Sequence, residues 1–236
     1  MPVDPAEIVR TLASGHRPAH PHLPGNLATE PIPVIADADA APVILLADDS
    51  PVATALRGDA SLALRFDDRP PVPEAPWLGS GWVCGWAEPV DVDDQSELAG
   101  VFAAEHPVND LLGLGDSHRL WRLSVAEVCL EDDSGLIEID VDHYQSVEPD
   151  TWHRIEASLL MDLNVHHPDV LDALLHRIQH HYPAARRLNP LRMDRHGTTI
   201  DVFCDDEVKR FLIHHRPGVT RPDQILHSLA GCRCQH

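Results

Sequence analysis

The chain has 236 residues, enough for one large domain or two small ones and for a core that needs no disulfide staples. It carries 38 acidic against 18 basic side chains, a formal charge of −20, and Lys209 is its one lysine. A surface this anionic repels phosphate backbones and argues against a nucleic-acid partner. No run approaches the ~18 apolar residues of a membrane span. The opening MPVDPAEIVRTLASG lacks the basic and apolar regions of a signal peptide, so the cytoplasm is the expected compartment.

Helix signals open the chain: Asp4 as cap, Pro5 in the first helical position, Glu7 completing a capping box and Gly15 as the stop. HRPAHPHLPG follows, three histidines among three prolines, and reads as a loop. ATEPIPVIAD and APVILLAD form an expected hairpin. Ser50–Pro51 starts a short helix that Gly58 closes, and SLALRF is a strand. In GWVCGWAEPV, Trp82, Cys84 and Trp86 fall on one side of an alternating strand. A helix over QSELAGVFAAEH ends at Pro107. HRLWRLSVAEVCLE and GLIEIDVD are two more strands around the turn DDSG. Antiparallel strands at this spacing point to a barrel over residues 1–148.

The pattern changes after SVEPDT. Trp152, Ile155, Leu159 and Leu163 mark a helical face, and Pro168 starts a second helix through DVLDALLHRIQHH. NPLRMD, TTIDVFC and EVKRFLIHH read as strands, and TRPDQILHSLAG as a closing helix with Thr220 as cap and Gly231 as stop. Residues 149–236 are therefore expected to form a small α+β domain.

Five cysteines and 17 histidines supply the soft ligands. Cys84, Cys129 and Cys204 sit in apolar strand-like runs and read as buried thiols. Cys232 and Cys234 are two apart, without the paired CxxC spacing of a structural zinc site. His176 and His180 are four apart on a helix, so both can face one ion, although their place at its C-terminal end also suits a purely electrostatic role. No GxSxG elbow, phosphate-cradling glycine loop or HExxH is present.

ALRGDASLALRF, GWAEPV and LWRLSVAEV resemble the split barrel of pyridoxamine-phosphate-oxidase-type flavoproteins. RIEASLLMDLNVHHPDVLDALL, with LRMDRHGTTIDV, resembles the C-terminal domain of HugZ-type heme utilisation proteins. That family carries His-Met-Asn-x-Asp-His and a later Asp-x-x-Gly turn. Here Asn164, His167 and the turn from Asp194 to Gly197 agree, whereas Asp162 and His166 replace the family's first His and its Asp.

The resemblance implies a split β-barrel followed by an α+β domain, and a homodimer holding a ligand between facing barrels. It implies heme as that ligand, bound for iron utilisation and in some members degraded oxidatively. It also implies a C-terminal tail histidine on the iron, a place that His236 occupies here. His16, His20 and His22 are the alternative ligands, and a thiolate of Cys232 or Cys234 is a further candidate. Arg119 and Arg122 are the expected propionate partners, with Trp82 and Trp86 offering aromatic planes to the porphyrin. FMN is a weaker expectation, because Asp48 and Asp49 precede Ser50 where a phosphate would sit and only Arg57 is basic nearby. Heme binding is the leading expectation; the readings left open are a heme-degrading enzyme, a non-catalytic heme binder, a partner-binding or regulatory protein of tetrapyrrole metabolism, and an FMN-dependent oxidoreductase.

Overall fold

The protein, a computed structural model describing residues 3–25, 30–216 and 224–225, divides into two compact units. The first takes in Met1–Arg69 and Trp77–Pro149, the second Pro70–Pro76 and Asp150–His236.

In the first unit, α1 (Pro5–Leu12) begins where Asp4 accepts a hydrogen bond from the Ala6 N–H at 2.9 Å, and Pro5 opens its first turn. α2 (Pro51–Gly58) repeats the device, with Ser50 Oγ accepting from the Ala53 N–H at 3.1 Å. Six strands run antiparallel in the order β1 (His20–His22), β4 (Ser61–Asp68), β5 (Gly79–Pro89), β6 (His118–Asp132), β3 (Pro42–Ala47) and β2 (Val34–Ala36). β7 (Gly135–Ile139) pairs with the far half of β6. Ala19 and Ile32 exchange both backbone hydrogen bonds, at 2.9 and 2.8 Å, so one bridge joins the β1 end of this path to the β2 end. A sheet whose ends meet through a single bridge is a barrel split along that seam, the fold expected from the sequence.

Two local readings need correction. The His- and Pro-rich stretch holds β1, whose His20, Pro21 and His22 pair with Arg65, Leu64 and Ala63. Proline cannot donate to a ladder, but a strand at the end of the path tolerates it. The alternation in GLIEIDVD breaks after Ile139, where Asp140 accepts from the His143 N–H at 2.9 Å and starts α4 (Val141–Ser146). The cap overrides the alternation because it satisfies a backbone donor that a strand there would leave open.

Alternation along the strands divides two apolar cores. Inward residues such as Leu64, Phe66, Val83, Trp121 and Leu123 fill the barrel under α1. On the outside, α3 (Val92–Glu105) lays Leu98 and Phe102 against Ile35, Val43 and Leu120. Each such side chain stabilises by roughly 1.5–3 kcal/mol when fully buried. No outward residue of β4 or β5 belongs to either core among the described residues. That stretch of wall carries the candidate site.

The second unit packs α5 (Glu156–His166) and α6 (Pro168–Gln179) with a three-stranded antiparallel sheet. Its order is β10 (Val208–His214), β9 (Gly197–Phe203), β8 (Arg187–Met193). The helix-helix-strand-strand-strand order is the one read from the sequence. At the β8–β9 turn, the Asp194 carboxylate accepts from the N–H groups of His196 and Gly197 at 2.8 and 2.9 Å. Gly197 is needed there, since a Cβ would lie 2.5 Å from the Ile213 carbonyl oxygen. The expected closing helix lies outside the described residues except at Gln224 and Ile225.

Candidate functional site on the outer barrel wall

Strand pleating places every second residue outward. On β4 these are Ser61, Ala63 and Arg65, facing Trp86, Cys84 and Trp82 of β5 across the ladder. On the other side of β4, His22 and His20 of β1 face Ala63 and Arg65. Trp82 in turn faces Cys129 of β6. Four neighbouring strands thus gather two imidazoles, one guanidinium, two indoles and two thiols on one surface.

Contacts fix several of these groups. The His22 and Trp82 rings stand 4.9 Å apart between centroids, and the Arg65 guanidinium carbon lies 5.9 Å from the Trp82 centroid. Trp82 donates its indole N–H to Glu131 at 3.2 Å. Arg65 Nε is 3.1 Å from Asp67 yet buried without a well-formed hydrogen bond, and His20 is 3.9 Å from the same carboxylate. Trp86 is 56% exposed, a large apolar surface.

A bulge makes the wall concave here. The β5–β6 register slips between Cys84 and Gly85, leaving Ala126 as the extra residue of β6. Gly85 is obligatory, because a Cβ would lie 1.9 Å from the Ser124 carbonyl oxygen. A cavity of about 300 Å³ opens beside the bulge, lined by His22, Ala63, Cys84, Trp86 and Glu127 among others. A second, of about 400 Å³, continues from Ala126 and Glu127 to Cys129, Leu136 and Glu138.

The electrostatics decide what these groups can do. Burial lowers the His22 pKa below its usual value, with Arg65 and His20 pushing the same way and Asp67 opposing. A neutral imidazole keeps its nitrogen lone pair for a metal. Burial pushes the Cys84 thiol up to about 11, helped by Cys129 and Glu127. The Cys129 thiol is raised too, by burial and then by Glu127, Glu138 and Glu131. Neither is a thiolate near neutral pH, so both act as small apolar groups.

Of the residues expected from the sequence, His20, His22, Trp82 and Trp86 come together on this surface. Arg119 and Arg122 lie on opposite faces of β6, as a three-residue spacing on a strand requires. Arg119 contacts Asp48 at 2.9 Å, and Arg122 contacts Asp37 at 2.9 Å and Asp94 at 3.1 Å. His16 sits in the turn after α1, 2.5 Å from Glu105 of α3. His236, Cys232 and Cys234 lie outside the described residues. Arg65 is the cation that sequence reasoning missed. The alternation of SLALRF, which puts Arg65 on the face opposite Leu62, Leu64 and Phe66, was the available signal. Among the described residues no group of three or more His, Cys, Asp or Glu side chains converges as a metal site.

No protein-family model matches the chain, and no curated protein does. Solved structures do match. A heme binding protein from Mycobacterium smegmatis is 17% identical, with 98% of this chain and 97% of that one covered, at a TM-score of 0.68. A pyridoxamine 5'-phosphate oxidase-type protein from Listeria innocua covers 52% of this chain at 9% identity and 94% of its own, with a TM-score of 0.40. A FAD-binding protein from Mesorhizobium loti covers 53% at 14% identity and 90% of its own, with a TM-score of 0.41. The first of these likenesses spans both units, and it establishes that the chain shares the fold of the Mycobacterium smegmatis protein.

Proposed function

We propose that the protein binds heme on the outer wall formed by β1, β4, β5 and β6, between two copies of the chain. The observation that carries this reading is the grouping of His22, Trp82 and Arg65 by ring and cation contacts, beside a cavity that His22 lines together with Trp86. A neutral imidazole suits iron, indole faces suit a flat macrocycle, and a guanidinium beside them suits a propionate. The acids Glu127 and Glu131 on the β6 side disfavour propionates there, which directs that edge of the ring toward Arg65. Bound heme would supply a redox-active iron, and the protein's own residues would hold and orient it. Exposed Trp86 gives a second copy apolar surface to cover, which supports the homodimer.

His22 and His236 are the imidazoles this reading offers to the iron. Flavin is disfavoured by the same geometry that removes Arg119. Arg57 donates to the Asp48 carbonyl at 2.7 Å and, with Arg119, surrounds the Asp48 carboxylate, so the basic groups near the expected phosphate position are already engaged.

A hemin titration of the full chain tests the reading. The expected result is a saturable Soret band that weakens on the order of tenfold in Arg65→Met and shifts in whichever of His22→Ala and His236→Ala removes the ligand. Ascorbate in air then separates a stable binder, whose band persists, from a heme-degrading enzyme, whose band decays. Absence of any saturable band, or a spectrum unchanged in all three variants, overturns the assignment.

A further inference from the structure

The sequence also marks His176 and His180, which the proposed heme surface does not use. Both are exposed on α6, away from Val170, Leu174 and Ile178, which turn inward. His180 is the C-cap yet keeps right-handed helical geometry, φ −62° and ψ −30°, so the four-residue spacing still stacks the two rings on one face. Their centroids are 5.3 Å apart and the rings meet edge to face. That separation is of the size one ion spans with two metal–nitrogen bonds of about 2.0–2.1 Å. The negative end of the helix dipole and the chain's charge of −20 both favour a cation there.

We propose that His176 and His180 form a two-imidazole site for a divalent transition ion, with Cu²⁺ bound most tightly and Zn²⁺ less so. Imidazole selects these ions over Mg²⁺ or Ca²⁺, and the order follows the general affinity series for nitrogen ligands. No third side-chain ligand converges on the pair among the described residues. Water therefore completes the coordination shell, and the ion exchanges readily. This site is independent of the heme reading and stands or falls without it.

Equilibrium dialysis of the full chain against Cu²⁺, with electron paramagnetic resonance of the bound ion, tests it. All other histidines stay in place in every variant, so differences isolate the pair. Either His176→Asn or His180→Asn is expected to weaken one site on the order of 10²-fold, because the second imidazole binds intramolecularly. The resonance signal of that site should lose its coupling to a second nitrogen. The combination Asp172→His with His180→Asn moves the pair one turn back, to positions 172 and 176, and is expected to restore tight binding. All positions are exposed, and circular dichroism verifies that the helices are kept. Unchanged isotherms and spectra in either single variant, or no recovery in the moved pair, overturn the proposal.

Discussion

Two stretches of the same barrel wall carry arginines, and they differ in what surrounds them. At the α3 end, Arg122 is held between Asp37, whose side chain is 8% exposed, and Asp94, while Arg119 is held by Asp48. Around the bulge, Arg65 has a single close carboxylate, two imidazoles nearby and an indole within cation–π range. The first stretch is covered: its apolar residues lie under a helix. The second has an exposed Trp86 and a cavity at the register slip. Cover, rather than the count of arginines, distinguishes the two stretches of wall.

The substitution with the largest expected effect tests whether the bulge creates the concavity. Gly85→Ala drives a methyl into the Ser124 carbonyl, at a cost of roughly 3 kcal/mol or more, and chemical denaturation should show it as a large fall in midpoint. Next comes the contrast between the arginines. Arg122→Met leaves Asp37 without its cation, though Asp37 still accepts from the Asp39 and Ala41 N–H groups. A loss of about 1–2 kcal/mol in stability is expected, with hemin affinity unchanged. Arg65→Met should differ in binding, lowering hemin affinity, with a stability loss of about 1 kcal/mol or less from its contact with Asp67. Trp86→Ala should lower monomer stability by only about 1 kcal/mol, because the ring is already half exposed, and should weaken self-association in sedimentation.

The smallest effect is in pH. His22 titrates below its unfolded value of about 6.5, so between that value and its folded pKa the unfolded chain binds more protons. Stability from this group is therefore present above pH ~6.5 and is lost as the pH falls through that window. Replacing His22 with Asn should flatten that part of the stability profile. If His22 ligates iron, the hemin affinity of the native chain should fall over the same range.

Much of this was legible in the sequence, for identifiable reasons. Strand alternation put Trp82, Cys84 and Trp86 on one side, and the caps at Asp4, Ser50 and Pro168 mark their helices because each satisfies orphaned donors locally or fits the first turn. β1 was hidden because its stability comes from Arg65, Leu64 and Ala63 some forty residues away, while its own prolines signal a loop. α4 was hidden by an alternation that continues, in sequence, across the cap that ends it. That Arg119 and Arg122 fall on opposite faces was legible too, since residues three apart around Trp121 cannot share a face of a strand. The register slip at Gly85, which shapes the cavity, depends on β6 and leaves no trace in the GWVCGWAEPV segment beyond the glycine.

Hydrogen–deuterium exchange with and without hemin tests the location of the proposed site most directly. The account predicts protection concentrated in Ser61–Asp68 and Gly79–Pro89, with the pairing segment His20–His22, and little change in Pro42–Ala47 or around Arg119 and Arg122. Protection that falls instead on the α3 end of the wall, with β4 and β5 unchanged, contradicts it.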